Sequence, residues 1–228
     1  MRLIDLTRPI HTGMPVFPGD PDVLLEPALR VAADGVNVLR LHLGSQSGTH
    51  VDAPAHLDDS LPTVDELPLE RFIGRARIVD ARSVPARGAI GPALVDIDLV
   101  PGTIVLIATG WASRWNTADY PAHPYLHPDA AQLLVNKGIR TVGVDAPSID
   151  PSETADLTLP AHRILCGAHA VIAENLTALD ELVTAQAAGE PIEVSLFPLP
   201  LRGGDGAPVR AVARIGNSDI NLSGINYS

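Results

Sequence analysis

The sequence has few cysteines, basic residues and aromatic residues and no long apolar run, and each of these features argues against a class of structure or partner. A single cysteine, Cys166, leaves no possibility of an internal disulfide and favours a reducing, cytoplasmic location. Lys+Arg 16 against Asp+Glu 27 give a net charge of −11, which argues against nucleic acid or an anionic membrane as the partner. No apolar run reaches about 18 residues, so we predict no membrane span, and residues 1–5 show no signal-peptide hydrophobic region. Aromatic residues make up only 4%, so few side chains could hold a flat substrate.

The residues that are abundant indicate a globular chain with many ordered loops. A hydrophobic fraction of 46% allows a sizeable core, and 228 residues fit a single domain, which we expect to span 1–228. The 21 prolines and 19 glycines imply many structured loops, where binding sites concentrate.

Hydrophobic patterning predicts a mixed fold with more strand than helix. Alternation over 36–43 predicts a half-buried strand, and helix-like spacing predicts a helix over 63–73. A second helix is predicted over 128–137, where proline stands at the start and Gly138 follows the end. Further strands are predicted over 75–80, 103–108, 140–145, 170–173, 192–197 and 208–215, with a helix over 177–188. Strands separated by irregular loops favour α/β or α+β over a regular doubly wound sheet.

Common catalytic fingerprints are absent from the sequence. There is no phosphate-binding or dinucleotide-binding glycine motif and no His-Glu-x-x-His. The segment 44–48 superficially resembles a nucleophile elbow, but Gln46 stands where the serine must be. Cys166 lies between Leu165 and Gly167, which predicts a buried core thiol rather than a catalytic one.

One short segment concentrates residues that bind metals. His50, Asp52 and His56 lie within seven residues, and imidazole with carboxylate suits Zn or Mn. Together with Gln46 they are all even-numbered, so in an extended chain they would point to one face. A metal needs ligands from elsewhere as well, and Glu174 with one of the two histidines that lie before it, His162 or His169, would complete the set.

Residues 48–56, Gly-Thr-His-Val-Asp-Ala-Pro-Ala-His, resemble the signature of the metal-dependent cyclase family, which includes bacterial kynurenine formamidases and isatin hydrolases. The family pattern is His-x-Gly-Thr-His-x-Asp-x-Pro-x-His. The resemblance extends along nearly the whole chain, through Asp5-Leu6-Thr7, the loop 15–20, and the segments 109–111, 143–148 and 174–179. It implies a β-rich α/β fold of the swivelling β/β/α type, usually assembled as homodimers or homotetramers.

The resemblance also implies roles for individual residues. His50 and Asp52 are implied metal ligands, with Asp52 able to bridge two ions, and His162 and Glu174 are the implied distant ligands. His56 is the implied proton donor and acceptor rather than a ligand.

Two positions depart from the family pattern. Gln46 occupies the first ligand position, where the formamidases have histidine, and an amide oxygen is a weaker ligand than imidazole. We expect Gln46 still to face the metal, with one or two Zn or Mn ions per subunit, and the change favours a single ion or Mn. Phe17 stands where the formamidases have a tryptophan that contacts substrate, and it lacks the indole N–H donor.

The predicted function is hydrolysis of a small amide, formamide or lactam by metal-activated water, with His56 as general acid and base. A lactonase or a dehydrating cyclase would use the same site. A non-catalytic protein that binds metal or a small molecule is a further alternative, motivated by Gln46. Aromatic residues of the loop 109–128 could line the pocket rim or simply pack.

Overall fold

A nine-stranded mixed sheet organises the residues that this computed structural model describes, which are 1–153 and 158–216. The strands are β1 (Arg2–Asp5), β2 (Leu24–Leu29), β3 (Val38–His42), β4 (His50–Asp52), β5 (Ile73–Asp80), β6 (Ala89–Ile90), β7 (Ile104–Ala108), β8 (Tyr125–Leu126), β9 (Thr141–Val144), β10 (Val171–Glu174), β11 (Ile192–Ser195), β12 (Gly206–Pro208) and β13 (Val212–Ile215). The helices are α1 (Val31–Asp34), α2 (Pro92–Val95), α3 (Pro128–Asn136), α4 (Pro160–Gly167) and α5 (Leu179–Ala187). The order in the large sheet is β1-β13-β11-β5-β7-β9-β10-β4-β12, and β2 with β3 and β6 with β8 form two small sheets.

The centre of the large sheet is parallel and covered on both faces. Strands β5, β7, β9 and β10 pair in parallel, and every residue of β7 is buried, as its unbroken apolar run predicts. Alternate residues of β7 enter two different core clusters, one containing Leu182 of α5 and the other Leu134 of α3 and Leu165 of α4. The mixed α/β prediction is confirmed.

Antiparallel strands extend the sheet on both sides, and one of these extensions carries the site. Strand β4 pairs antiparallel with β10 and with β12, so a strand from the histidine-rich segment lies beside the end of the parallel core. The other side is completed by β11, β13 and β1.

Two predictions from hydrophobic spacing are wrong. The expected helix over 63–73 consists of two separate 3-10 turns, Val64–Glu66 and Leu69–Arg71, because Leu67 is extended before Pro68 and proline disfavours a helical residue ahead of it. The expected half-buried strand over 36–43 is β3, which is exposed along its whole length because it pairs with β2 in a hairpin outside the large sheet.

The other predicted elements agree with expectation in type, although their ends shift by a few residues and the strand predicted over 208–215 is shortened to β13. The helix predicted over 128–137 is α3, with Pro128 in its first turn and Lys137 after its last residue. Several short elements were not predicted, since a few residues carry little periodicity. They are β1, β2, β4, β6, β8, β12, α1, α2 and α4. No described helix is both long enough and apolar enough to cross a membrane.

Candidate metal centre

Strand pairing brings one imidazole and two carboxylate side chains together at one point. His50 and Asp52 lie two residues apart on β4 and therefore share a face, and the antiparallel register sets Glu174 of β10 directly opposite His50. One ligand atom from each of the three lies within 4.8 Å of the others, and all three side chains are buried.

Helix α4 adds His162 to this cluster. Its Nε2 lies 3.3 Å from Glu174 Oε1 and 3.6 Å from Asp52 Oδ2. Asp150 fixes the start of the helix, because its carboxylate accepts hydrogen bonds from the backbone amides of Ala161 and His162, both at 2.9 Å. The same carboxylate lies 2.8 Å from His162 Nδ1, which turns Nε2 toward the cluster.

The other histidine of this cluster is held in the same manner. His50 Nδ1 lies 2.9 Å from the carbonyl oxygen of Gly48, while its Nε2 lies 3.3 Å from Asp52 Oδ1 and 3.6 Å from Glu174 Oε2. An oxygen acceptor on one ring nitrogen sets the tautomer and leaves the other nitrogen free to bind a metal. Both imidazoles therefore present Nε2 to the same small volume.

The electrostatics of the cluster couple the imidazoles to the carboxylates. Burial alone would lower the pKa of His50, but Asp52 and Glu174 raise it to about 9. The pKa of His162 is also raised well above its usual value, because Asp150, Asp52 and Glu174 outweigh burial. For Asp52, burial acts to raise the pKa, yet the neighbouring histidines hold it far below the usual range. The buried carboxylates thus attract positive charge from their surroundings.

The donor set fits a divalent metal. Neither carboxylate oxygen of Asp52 accepts a hydrogen bond from a described residue, although both oxygens are fully buried. Leaving such atoms unpaired is costly unless a cation or proton satisfies them. Two imidazole nitrogens and two carboxylates form the mixed N/O set that suits Zn or Mn.

Gln46 lies at the edge of the same cavity but outside β4. Its Nε2 donates to Asp205 Oδ2 at 2.9 Å and approaches His56 Nδ1, also at 2.9 Å. Its Oε1 is buried and has no hydrogen-bond partner among the described residues. A turn before the strand, rather than the even-number alternation, places this side chain, because β4 begins only at His50. Metal binding by Gln46 stays a prediction.

His56 stands beside the cluster rather than within it. It ends a 3-10 turn, Pro54–His56, and its ring centroid lies 6.1 Å from that of His162. Burial alone would lower its pKa, but a hydrogen bond with Asp205 and the charge of Asp52 raise it. An imidazole that lines the cavity close to the cluster suits proton transfer.

A cavity of about 440 Å³ opens over these residues, which is within the range for small-molecule sites. Phe17 lines it with its neighbours in the loop 15–20, as does Asp20, whose pKa is raised by partial burial. Trp115 and Tyr120 also line the wall and pack edge to face with ring centroids 5.2 Å apart.

Two acidic residues at the site were not predicted from the sequence. Asp150 lies twelve residues before His162, and Asp205 lies 149 residues after His56. Each contacts its histidine through a ring nitrogen, and no local motif marks either of them. Cys166 is buried as predicted, and burial raises the pKa of its thiol to about 12.

Comparisons with known proteins give consistent matches along the chain. The family model named Cyclase matches residues 4–151, which is more than half of the sequence. The kynurenine formamidase of Salinibacter ruber is 35% identical over 220 residues, covering 94% of this chain and 98% of that protein. The kynurenine formamidase of Geobacillus thermodenitrificans is 36% identical over 215 residues, covering 92% and 96% respectively.

Solved structures share the fold. Isatin hydrolase A from Labrenzia aggregata, bound to benzyl benzoate, aligns with a TM-score of 0.81 at 24% identity, covering 94% of this chain and 93% of that one. A predicted metal-dependent hydrolase from Bacillus stearothermophilus aligns with a TM-score of 0.73 at 27% identity, covering 93% and 97%.

Proposed function

Because the chain belongs to the cyclase family, we propose that it is a metal-dependent hydrolase of a small amide, formamide or lactam. One observation carries this proposal: four buried ligand side chains converge beside a cavity that also contains the imidazole of His56. Similarity to two kynurenine formamidases at 35% and 36% identity supports hydrolysis of a C–N bond that is not a peptide bond.

We assign the metal to His50, Asp52, His162 and Glu174, and Gln46 is the proposed fifth ligand through its unpaired Oε1. When bound, a divalent ion lowers the pKa of a coordinated water toward about 7 and polarises a carbonyl oxygen. We propose Zn or Mn, with one ion favoured over two because an amide replaces the imidazole at position 46.

The chain's own residues supply the proton transfers and hold the substrate. His56 takes a proton from the attacking water and returns it to the leaving nitrogen, which leaves poorly unless it is protonated. Phe17 and Trp115 provide flat apolar walls for an aromatic or cyclic substrate. The pairing of the buried strands β4 and β10 keeps His50, Asp52 and Glu174 in register.

A second copy of the chain is the proposed partner, giving a homodimer or homotetramer. The β2–β3 hairpin, defined as residues 24–42, exposes large apolar side chains, which are Leu24, Leu29, Val31, Val36, Val38, Leu39 and Leu41. A two-stranded hairpin that is exposed along β3 has little stability of its own, so a covering surface would stabilise it. We also propose a cytoplasmic location, which a single cysteine suits.

A substrate panel tests the proposed reaction. Purified protein loaded with Zn or Mn should hydrolyse an N-formylated arylamine or an isatin-like lactam faster than an aryl lactone of similar size. Faster turnover of the lactone would favour the lactonase alternative. Absence of turnover with every metal and substrate would favour a non-catalytic binding protein and would contradict the proposal.

A further inference from the structure

Asp205 contacts His56 although it is not among the residues that line the cavity. Its Oδ2 lies 3.1 Å from His56 Nδ1 and accepts from Gln46 Nε2 at 2.9 Å, while its Oδ1 accepts from Ser45 Oγ at 2.8 Å. Its backbone is fixed too, because its carbonyl oxygen accepts from the Ala53 amide at 2.8 Å. The carboxylate is therefore held on several sides with one oxygen against the imidazole.

This contact determines which ring nitrogen of His56 carries the proton. Both carboxylate oxygens of Asp205 accept hydrogen bonds, from Gln46 and from Ser45, so the group meets His56 as an acceptor. A separation of 3.1 Å is attractive only if Nδ1 carries the hydrogen. Gln46 Nε2 also lies 2.9 Å from Nδ1, but it is a donor itself, and we assign the charged Asp205 oxygen as the acceptor that the two nitrogens share.

The remaining ring nitrogen is then the one that can react. With its proton on Nδ1, a neutral His56 has a lone pair on Nε2, and among the described residues no partner occupies Nε2. When Nε2 takes a proton from water, the carboxylate of Asp205 faces the resulting imidazolium. The same proton then leaves Nε2 for the departing nitrogen, and His56 returns to its starting form.

We propose that Asp205 is a positioning residue that fixes the His56 ring and its Nδ1–H tautomer for both proton transfers. This inference rests on the proposed role of His56 in hydrolysis. Asp205 acts through the imidazole and does not itself touch the reacting atoms.

The kinetic test compares Asp205→Asn and Asp205→Ala with Asp59→Asn, a change at an exposed aspartate, as the matched control. We expect kcat for an N-formylated arylamine to fall by about 10- to 100-fold in the two Asp205 variants, with KM and metal content nearly unchanged. Asp59→Asn removes a carboxylate that contacts neither His56 nor the proposed ligands among the described residues, and kcat should stay within about twofold of the wild type.

Leaving-group dependence separates positioning from a structural role. Loss of proton donation should slow formanilides with electron-donating ring substituents more than it slows the p-nitro derivative, because the poorer leaving nitrogen needs the proton more. In addition, Asp205→Asn should cause no further loss in a His56→Ala background. An equal loss for all leaving groups, or an undiminished loss in the His56→Ala background, would overturn the inference.

A measurement without substrate keeps the two proposals separate. In nitrogen-15 imidazole spectra, with His56→Ala used for assignment, we expect the proton of neutral His56 on Nδ1 in the wild type and a change of tautomer or exchange in Asp205→Ala. If the wild type hydrolyses no substrate, the proposed function fails. The spectra still show whether Asp205 determines which ring nitrogen of His56 carries the proton. A proton on Nε2 in the wild type, or identical spectra in both proteins, would contradict the inference.

Discussion

The two histidines of the candidate metal centre, His50 and His162, each have one ring nitrogen held by an oxygen outside the cluster. Their other ring nitrogens face the carboxylates of Asp52 and Glu174. Gly48 and Asp150 each occupy one ring nitrogen of a histidine, so the orientation of both rings is set before a metal arrives. Glu174 is fixed as well, since its Oε1 accepts from the Ile149 amide at 2.7 Å. Preorganisation of this kind means that metal binding requires little movement of the ligands.

His56 is proposed to transfer protons and Glu174 to bind the metal, so substitutions of the two residues should have different effects. His56→Ala should retain nearly all of the metal while kcat falls by about 10²- to 10⁴-fold, because only the proton transfers are lost. Glu174→Gln should instead weaken metal binding by at least about tenfold, since it removes a charged ligand. Elemental analysis beside steady-state kinetics checks both. Loss of metal in His56→Ala would make His56 a ligand and refute its assignment as the proton carrier.

The thiol of Cys166 provides a second test at the residue scale. Burial raises the pKa of Cys166 to about 12, so at pH 8 only about one thiol in ten thousand is the reactive thiolate. A raised thiol pKa favours the protonated form at every pH below it. We expect an aromatic disulfide reagent to react slowly with the native protein and rapidly after denaturation. Rapid reaction in the native state would show that Cys166 is accessible and ionised.

At the scale of elements, three short strands determine the site. Strand β4 lies between β10 and β12, and Gly206 of β12 is paired with Asp52. A Cβ atom at Gly206 would overlap the carbonyl oxygen of Val51 and lie 2.6 Å from Gln46 Oε1. A side chain therefore has no room at this position, and β12 can approach β4 only with glycine there.

Gly206→Ala should consequently push β12 away from β4. We expect the free energy of unfolding to fall by about 1–3 kcal/mol, as for overpacked cores, and kcat to fall because Gln46 and Asp205 move. Gly167→Ala is the matched control, since a Cβ there meets nothing within 4 Å, and its stability should stay within about 1 kcal/mol of the wild type. Chemical denaturation measures both. Equal stabilities for the two variants would contradict the close approach of the strands.

Local spacing could predict part of this site and not the rest. His50 and Asp52 follow from a two-residue spacing on an extended segment, and their common face is confirmed. From the residues alone Glu174 with His162 or His169 was only a candidate pair, and the choice of His162 came from family resemblance, because these positions depend on strand pairing and helix packing. Asp205 depends on a contact between positions 149 residues apart, which a single sequence does not encode locally.

The elements divide in the same way. Strand β7 and helix α3 were predicted because one is an unbroken buried run and the other has clear end signals. Strand β3 was predicted to be half-buried and is exposed. Alternation of apolar and polar residues produces a buried face only when another surface covers the apolar side chains. The residue spacing of one segment does not show whether another part of the chain packs against it.

At the scale of the whole molecule, the acidic chain exposes an apolar surface on the β2–β3 hairpin. Leu39 and Leu41 lie on the same face of β3 and are 60% and 57% exposed, so charged replacements should cost little folding stability. Two of the acids that contribute to the net charge of −11, Asp52 and Glu174, are buried at the candidate metal centre. The prediction of a single domain over 1–228 stays a proposal.

The hairpin surface predicts the behaviour of the protein in solution. The wild type should be a dimer or tetramer by light scattering during size-exclusion chromatography, and the double substitution Leu39→Lys with Leu41→Lys should shift it toward the monomer. Leu69→Lys changes an equally exposed residue outside the hairpin and should leave the assembly intact. A monomeric wild type, or an oligomer unaffected by the double substitution, would contradict the proposed interface.

A metal titration of the chelated protein tests the central claim most directly. Hydrolysis of an N-formylated arylamine should be absent after chelation and should return as Zn or Mn is added, reaching a plateau at one or two ions per chain. Over the same range Glu174→Gln should recover little activity. Full hydrolysis by protein that elemental analysis shows to be free of metal would contradict the account.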